Sequence, residues 1–160
     1  MKKKLLSSLS LLFVLALCLS LAGCGDNTRF AVKGVEIGSA TQTFQTASFA
    51  AKYNHQIKTT YKAGETISNV KVKYIFKNAG GSYYYEEEWD DFSKCDEGSF
   101  EKPLLAYENG MSTTYKSTDG KEDLKVENGD ILDTMGAGTE VTVEVYEKGE
   151  KIAEGSATYQ

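Results

Sequence analysis

Histidine, proline and tryptophan each occur once among the 160 residues, and that scarcity removes several kinds of chemistry at the outset. With His55 alone, no histidine-based metal centre and no multi-histidine relay can form. A Ser-His-acid hydrolase would have to use His55 as its base, but the residue sits in the polar stretch "KYNHQIK" and no nucleophile-elbow pattern is present. No glycine motif is spaced to cradle a phosphate. Low-complexity linkers are missing too, so nothing in the composition divides the chain into two folded domains.

Long apolar runs are confined to one place. Lys2, Lys3 and Lys4 precede Leu5 to Leu21, where only serines and Cys18 interrupt Leu, Val, Ala and Phe. A basic start, an apolar middle and small residues before a cut are the marks of a secretory signal. About 20 apolar residues would also span a bilayer, so an uncleaved helix competes until the end of the run is read. Leu21-Ala22-Gly23-Cys24 resembles the lipobox of bacterial lipoproteins at all four positions. The resemblance implies cleavage between Gly23 and Cys24, a diacylglyceryl group on the Cys24 thiol, and attachment through buried acyl chains. Residues 1–23 would then be signal peptide, 24–28 the lipidated cysteine and a short tether, and 29–160 one domain on the extracellular side of the cell membrane or in a periplasm. Gly25 to Thr28 reach at most roughly 15 Å when extended. The domain is therefore expected to work close to its own membrane.

Loss of the leader removes 3 of the 18 basic residues and none of the 23 acidic ones, which leaves a net charge of −8 on 137 residues, 160 less 23. Such a body stands off an anionic lipid surface and offers no basic patch to nucleic acid. With Cys18 removed and Cys24 lipidated, Cys95 has no partner for an internal disulfide.

The rest is rich in Thr, Tyr, Val, Gly and Lys, and its clear patterns alternate with a period of two, which signals strands. In "ISNVKVKYIFKNAGGSYYYEEEWDDF", Ile67 to Phe92, the residues Val70, Val72, Tyr74 and Phe76 share one face. A turn at Asn78-Ala79-Gly80-Gly81 pairs them with Trp89, Glu87, Tyr85 and Tyr83, and sets Lys73 opposite Glu86 and Lys71 opposite Glu88. Tyr83, Tyr85 and Trp89 are expected in the core. Glu87, on the apolar face, calls for a bulge or a partner. A second hairpin turns at Lys148-Gly149 and brings Ile152 opposite Val145; Glu154 opposite Val143 again asks for a bulge or an exposed edge. Residues 93–138 read as short strands and long loops, Phe30 to Ile37 as a first strand, and Thr41 to Tyr53 as strand or helix.

Two stretches carry a further resemblance. "TTYKAGETISNVKVKY", Thr59 to Tyr74, and the closing "GTEVTVEVYEKGEKIAEGSATY" resemble segments of exported immunoglobulin-like domains. The resemblance implies an all-β fold, an antiparallel two-sheet sandwich of roughly seven to nine strands. It implies no activity.

Candidate chemistry concentrates in "YYYEEEWDD", Tyr83 to Asp91. Glu86, Glu88 and Asp90 share a strand face with backbone spacings of about 6.8 Å, which overlaps the carboxylate separations of glycosidases. A glycosidase acid needs an apolar pocket, whereas the hairpin register offers Lys71 and Lys73. A solvated, lysine-paired face is the expectation, with calcium or a cationic partner as the alternative. Tyr84, beside Ile75 on the outer face, is the preferred surface anchor, so the binding candidates are Tyr84, Glu86, Glu88 and Asp90. A second acidic stretch, Ser117 to Asp130, lacks the ordered oxygens of an EF-hand. No catalytic set, metal centre or cofactor beyond the lipid on Cys24 is assigned. The reading is a membrane-anchored binding module, an accessory or adaptor subunit with an envelope protein partner; the alternatives are an adhesive or glycan-binding module and a carboxylate-dependent glycosidase.

Overall fold

The computed structural model describes residues 28–40, 43–45, 50–107 and 111–160. The leader, Gly23 and Cys24 lie outside the described residues. Among the described residues the strands are β1 (Phe30–Ser39), β2 (Thr43–Gln45), β3 (Ala50–Ala63), β4 (Ile67–Asn78), β5 (Gly81–Phe92), β6 (Cys95–Tyr107), β7 (Thr113–Ser117), β8 (Leu124–Val126), β9 (Glu140–Glu147) and β10 (Glu150–Thr158), with one short helix, α1 (Ile131–Met135). They form the expected all-β, antiparallel two-sheet sandwich. In one sheet β3 is central, with β1 and β2 on one side and β6 on the other; the second sheet has the order β10-β9-β4-β5-β7-β8.

The core lies between the sheets. Ile57, Phe100 and Leu104 from the first face Val70, Val72, Tyr74, Phe76, Val141, Val143 and Val145 from the second, all buried. Each such aliphatic side chain contributes about 1.5–3 kcal/mol when fully removed from water. At one end Phe30, Tyr61, Phe92, Phe100 and Trp89 stack with centroids 4.9–5.9 Å apart. The Tyr61 ring passes so close to Gly98 that a Cβ there would sit 2.5 Å from it. Half-buried Cys95 is free and packs against this cluster.

The β4–β5 hairpin has the expected register, from Ile67 opposite Phe92 to Asn78 opposite Gly81. Gly80 N–H bonds to the Asn78 carbonyl oxygen of the side chain, 2.8 Å, and closes the turn. The β9–β10 hairpin departs from expectation by one residue. A bulge at Ile152 puts Ala153 opposite Val145 and Gly155 opposite Val143, so Glu154 escapes the core face and sits opposite Glu144. At its tip Lys148 and Gly149 both adopt positive φ, 50° and 86°, the conformation a tight two-residue hairpin requires.

Residues 93–138 are not mainly loop. β6 runs for 13 residues and pairs with nearly all of β3. As an edge strand it tolerates Pro103, which donates no ladder bond. The described part of Thr41 to Tyr53 is strand, not helix.

Candidate binding site

β4, β5 and β9 together present the outer face of the second sheet. There Asn69, Lys71, Lys73, Glu86, Glu88, Asp90, Tyr146 and Lys148 line an open groove of about 750 Å³. Lys71 stands opposite Glu88 in the backbone register, but its ammonium turns diagonally to Glu86, 3.6 Å, where Lys73 also arrives at 3.8 Å. Two lysines thus converge on one carboxylate. Lys73 also lies 4.0 Å from the centroid of Tyr84, which is half-buried beneath it. Tyr84 pairs across to Lys116 of β7, so the preferred anchor is part of a charged, braced surface. Nearby, Glu144 accepts from Tyr146 Oη at 2.7 Å and Lys151 Nζ at 3.1 Å. Burial pulls the Glu144 carboxyl upward, yet these two donors outweigh it and hold the group below its ordinary range. Burial and then the Glu144 carboxylate push the Tyr146 hydroxyl up to about 12.

The misfit residue of β5 has a built environment. Glu87 faces inward without a bulge and accepts Tyr74 Oη at 2.9 Å, Trp89 Nε1 at 3.0 Å and Lys102 Nζ at 2.6 Å. Lys102 comes from the inward side of β6, between Phe100 and Leu104, so the ion pair crosses from one sheet to the other. Burial, and then the adjacent Glu87 carboxylate, push the Tyr74 hydroxyl far above its usual value, so it remains a donor. Above the pair, Tyr53, Tyr85, Tyr107, Tyr115, Pro103 and Leu105 surround a cleft of about 290 Å³. Tyr85 is 37% exposed there. Its assignment to the core is corrected: the residue is on the inward face of β5, but its ring lines the open cleft instead of being covered by the other sheet.

His55 is not an isolated polar residue, and the expectation that a single histidine rules out a histidine-based metal centre is corrected: among the described residues His55, Asp130 and Asp133 each bring one possible ligand atom within 4.8 Å of the others. His55 Nδ1 lies 2.9 Å from Asp130 Oδ2 and its Nε2 3.0 Å from Tyr159 Oη. Asp130 is fully buried. Its Oδ1 accepts Leu132 N–H and Asp133 N–H, while Asp133 returns a bond to Asp130 N–H, a reciprocal cap on α1. Asn54, His55, Asp130 and Asp133 therefore tie β3 to α1. Asp119, Asp123 and Glu127 of the stretch Ser117 to Asp130 are also met by protein donors. Asp119 accepts Ser117 Oγ and Lys121 N–H, and with Lys121 Nζ these hold its carboxyl well below the usual range; Asp123 accepts Ser117 N–H at 3.0 Å.

The sequence pointed to Glu87 as a residue in need of a partner, but alternation within one hairpin cannot identify a lysine on the opposite sheet. The cap on α1 had a signal, Asp130 followed three residues later by Asp133, that was obscured by the surrounding acidic stretch.

No family model and no curated protein matches this sequence. Among solved structures it is similar to a chain described as "putative beta-galactosidase" from Bacteroides fragilis, with 11% identity and a TM-score of 0.43 over 81% of this chain and 17% of that one. The chain thus spans under a fifth of that protein's length, and a likeness at this level carries no argument about activity.

Proposed function

We propose that this chain is a membrane-anchored lipoprotein whose sandwich is a non-catalytic binding module, an accessory or adaptor subunit of the cell envelope. The lipobox supports attachment through Cys24 after a cut at Gly23, and the short tether supports a partner close to the membrane. The observation that carries the binding reading is the groove on β4, β5 and β9. It sets Glu86, Glu88 and Asp90 among Lys71, Lys73 and Lys148, with the aromatic side chain of Tyr146 beside them. A surface of alternating sign with aromatic residues suits a protein of complementary charge pattern, where charge steers encounter and aromatics supply contact area.

Crosslinking of a tagged copy in intact native cells, with mass-spectrometric identification of attached proteins, tests this reading. One enriched envelope protein is expected, and its recovery should fall in a Glu88→Lys, Asp90→Lys variant that folds normally. An unattached domain, or a partner retained equally by the variant, overturns the adaptor. Cys24→Ser should abolish lipid labelling and cleavage at that site; persistent labelling would sink the anchor. A second reading, recognition of a glycan, is favoured by the tyrosine-lined cleft on the other side of β5.

A further inference from the structure

We propose that the cleft between β5 and β6 is a binding site for one neutral saccharide ring, with Tyr85 as its stacking platform and Lys102, neutralised by Glu87 behind it, as its polar floor. The inference goes beyond the adaptor reading, since the cleft and the outer groove lie on opposite faces of β5. It stands or falls separately from any partner there.

The shape and the lining limit what can enter. A volume of about 290 Å³ is at the lower end of the roughly 300–1,000 Å³ of small-molecule pockets, so it accommodates a single ring rather than an extended chain or a helix. Tyr74 and Tyr115 are buried beneath it, Tyr53 and Tyr107 are half-buried, and Tyr85 alone is well exposed. Aromatic faces carry negative charge and attract the weakly positive C–H groups on one side of a pyranose. The hydroxyls of that ring need both donors and acceptors. Lys102 lines the cleft as a donor, neutralised by Glu87 behind it at 2.6 Å, and the hydroxyls of the lining tyrosines can both donate and accept.

Charge selects among the remaining ligand classes. An ammonium ligand would suit the tyrosine faces, but Lys102 already holds that position, 4.4 Å from the Tyr85 centroid, and would repel it. An anion would find Lys102 already paired with Glu87 and would approach a strongly acidic chain. A neutral ring meets a charge-balanced pair. An inward-facing ion pair is an expensive way to fill a sandwich core, and here it sits where the core opens to solvent beside an uncovered aromatic ring.

The test uses full-length protein in detergent and saturation-transfer NMR with glucose, galactose, mannose and N-acetylglucosamine, with tetramethylammonium and acetate as charged comparisons. Transfer to at least one neutral sugar is expected, with weaker or no transfer to the charged probes. Tyr85→Ala should weaken that sugar about tenfold or more, as loss of an aromatic anchor does, at an unchanged melting temperature. Tyr85→Phe keeps the ring and should bind within about twofold. Absence of transfer from all four sugars, preference for either charged probe, or equal affinity in Tyr85→Ala would each overturn the proposal. Should Tyr85→Ala melt early, chemical-shift mapping on the native chain decides. Shifts confined to the cleft tyrosines support the site, and shifts elsewhere refute it.

Discussion

Glu87 of β5 and Lys102 of β6 meet at 2.6 Å across the interior, joining the two sheets through charge, with Tyr74 and Trp89 donating to the same carboxylate. The two ends of this bridge are not equivalent. Removing Lys102 takes one donor from a carboxylate that retains Tyr74 and Trp89, whereas removing Glu87 leaves a hydroxyl, an indole N–H and an ammonium without an acceptor.

Lys102→Met should therefore cost about 1–2 kcal/mol and Glu87→Leu about 2–4 kcal/mol, discounted for the partial exposure of both groups. The double variant should recover part of the sum. Urea denaturation of the four proteins measures the cycle, and equal losses for the two single changes would contradict the asymmetry.

Acid sensitivity should map to the start of β1. Arg29 bonds to Glu147 at the end of β9 and to Glu65 in the β3–β4 turn. The guanidinium holds the Glu147 carboxyl below its ordinary 4.5. The resulting stability is fully present above about pH 4.5 and is lost as the pH falls through the lower value of the folded state. In melts from neutral to acid pH, Glu147→Gln should be less stable than the parent at neutrality and should lose less as the pH falls through that window. A parallel pH profile for the two proteins would refute the assignment.

The tip of the β9–β10 hairpin is strained at Lys148. A non-glycine residue at φ 50° is replaced at little cost by Asn or Gly in a turn of this kind. Lys148→Asn should raise stability by about 0.5–1 kcal/mol, read as a higher urea midpoint at constant slope.

At Gly155 the two sheets come closest. A Cβ would lie 2.5 Å from Val32 Cγ1 and 3.2 Å from Val35 Cγ2. Gly155→Ala should cost about 1–3 kcal/mol through overpacking, and a companion Val32→Ala should relieve part of it in the same measurement.

Asp130 serves four donors with one carboxylate, the two amides of α1 and the backbone and ring nitrogens of His55. Asp130→Ala should cost about 2–4 kcal/mol, more than a cap alone. Asp130→Asn, which keeps the capping oxygen, should fall between the two in thermal melts.

The elements that were legible in the sequence are those governed by neighbours along the chain. Val70, Val72, Tyr74 and Phe76 alternate within one strand, and a glycine-rich turn fixes which residues of the next strand they meet; the whole β4–β5 register follows. The features that were not legible depend on contacts between sheets. Lys102 looks like any strand lysine until the two sheets are stacked, and the exposure of Tyr85 depends on what the opposite sheet lays over it. The slip at Ile152 shows a third case, in which burying Glu154 costs more than breaking a regular ladder, so the backbone bulges and a glycine takes the inner position. Among the binding candidates, the shared face of Glu86, Glu88 and Asp90 was readable from periodicity. The convergence of both lysines on Glu86 was not, because diagonal contacts depend on side-chain direction and on the twist of the pair.

The placement of the two ends of the described domain has a mechanical consequence. Arg29 fastens the start of β1 at the pole formed by Glu65 and Glu147, while Tyr159 is fastened to His55 at the opposite pole, where Ser39 also ends its pairing. A pull applied between the two termini acts along β1 and β10. It slides each past its partner and loads the cross-strand hydrogen bonds of β1–β3 and β9–β10 side by side, rather than opening them one after another. A domain strung this way resists tension through its whole length before the first strand leaves.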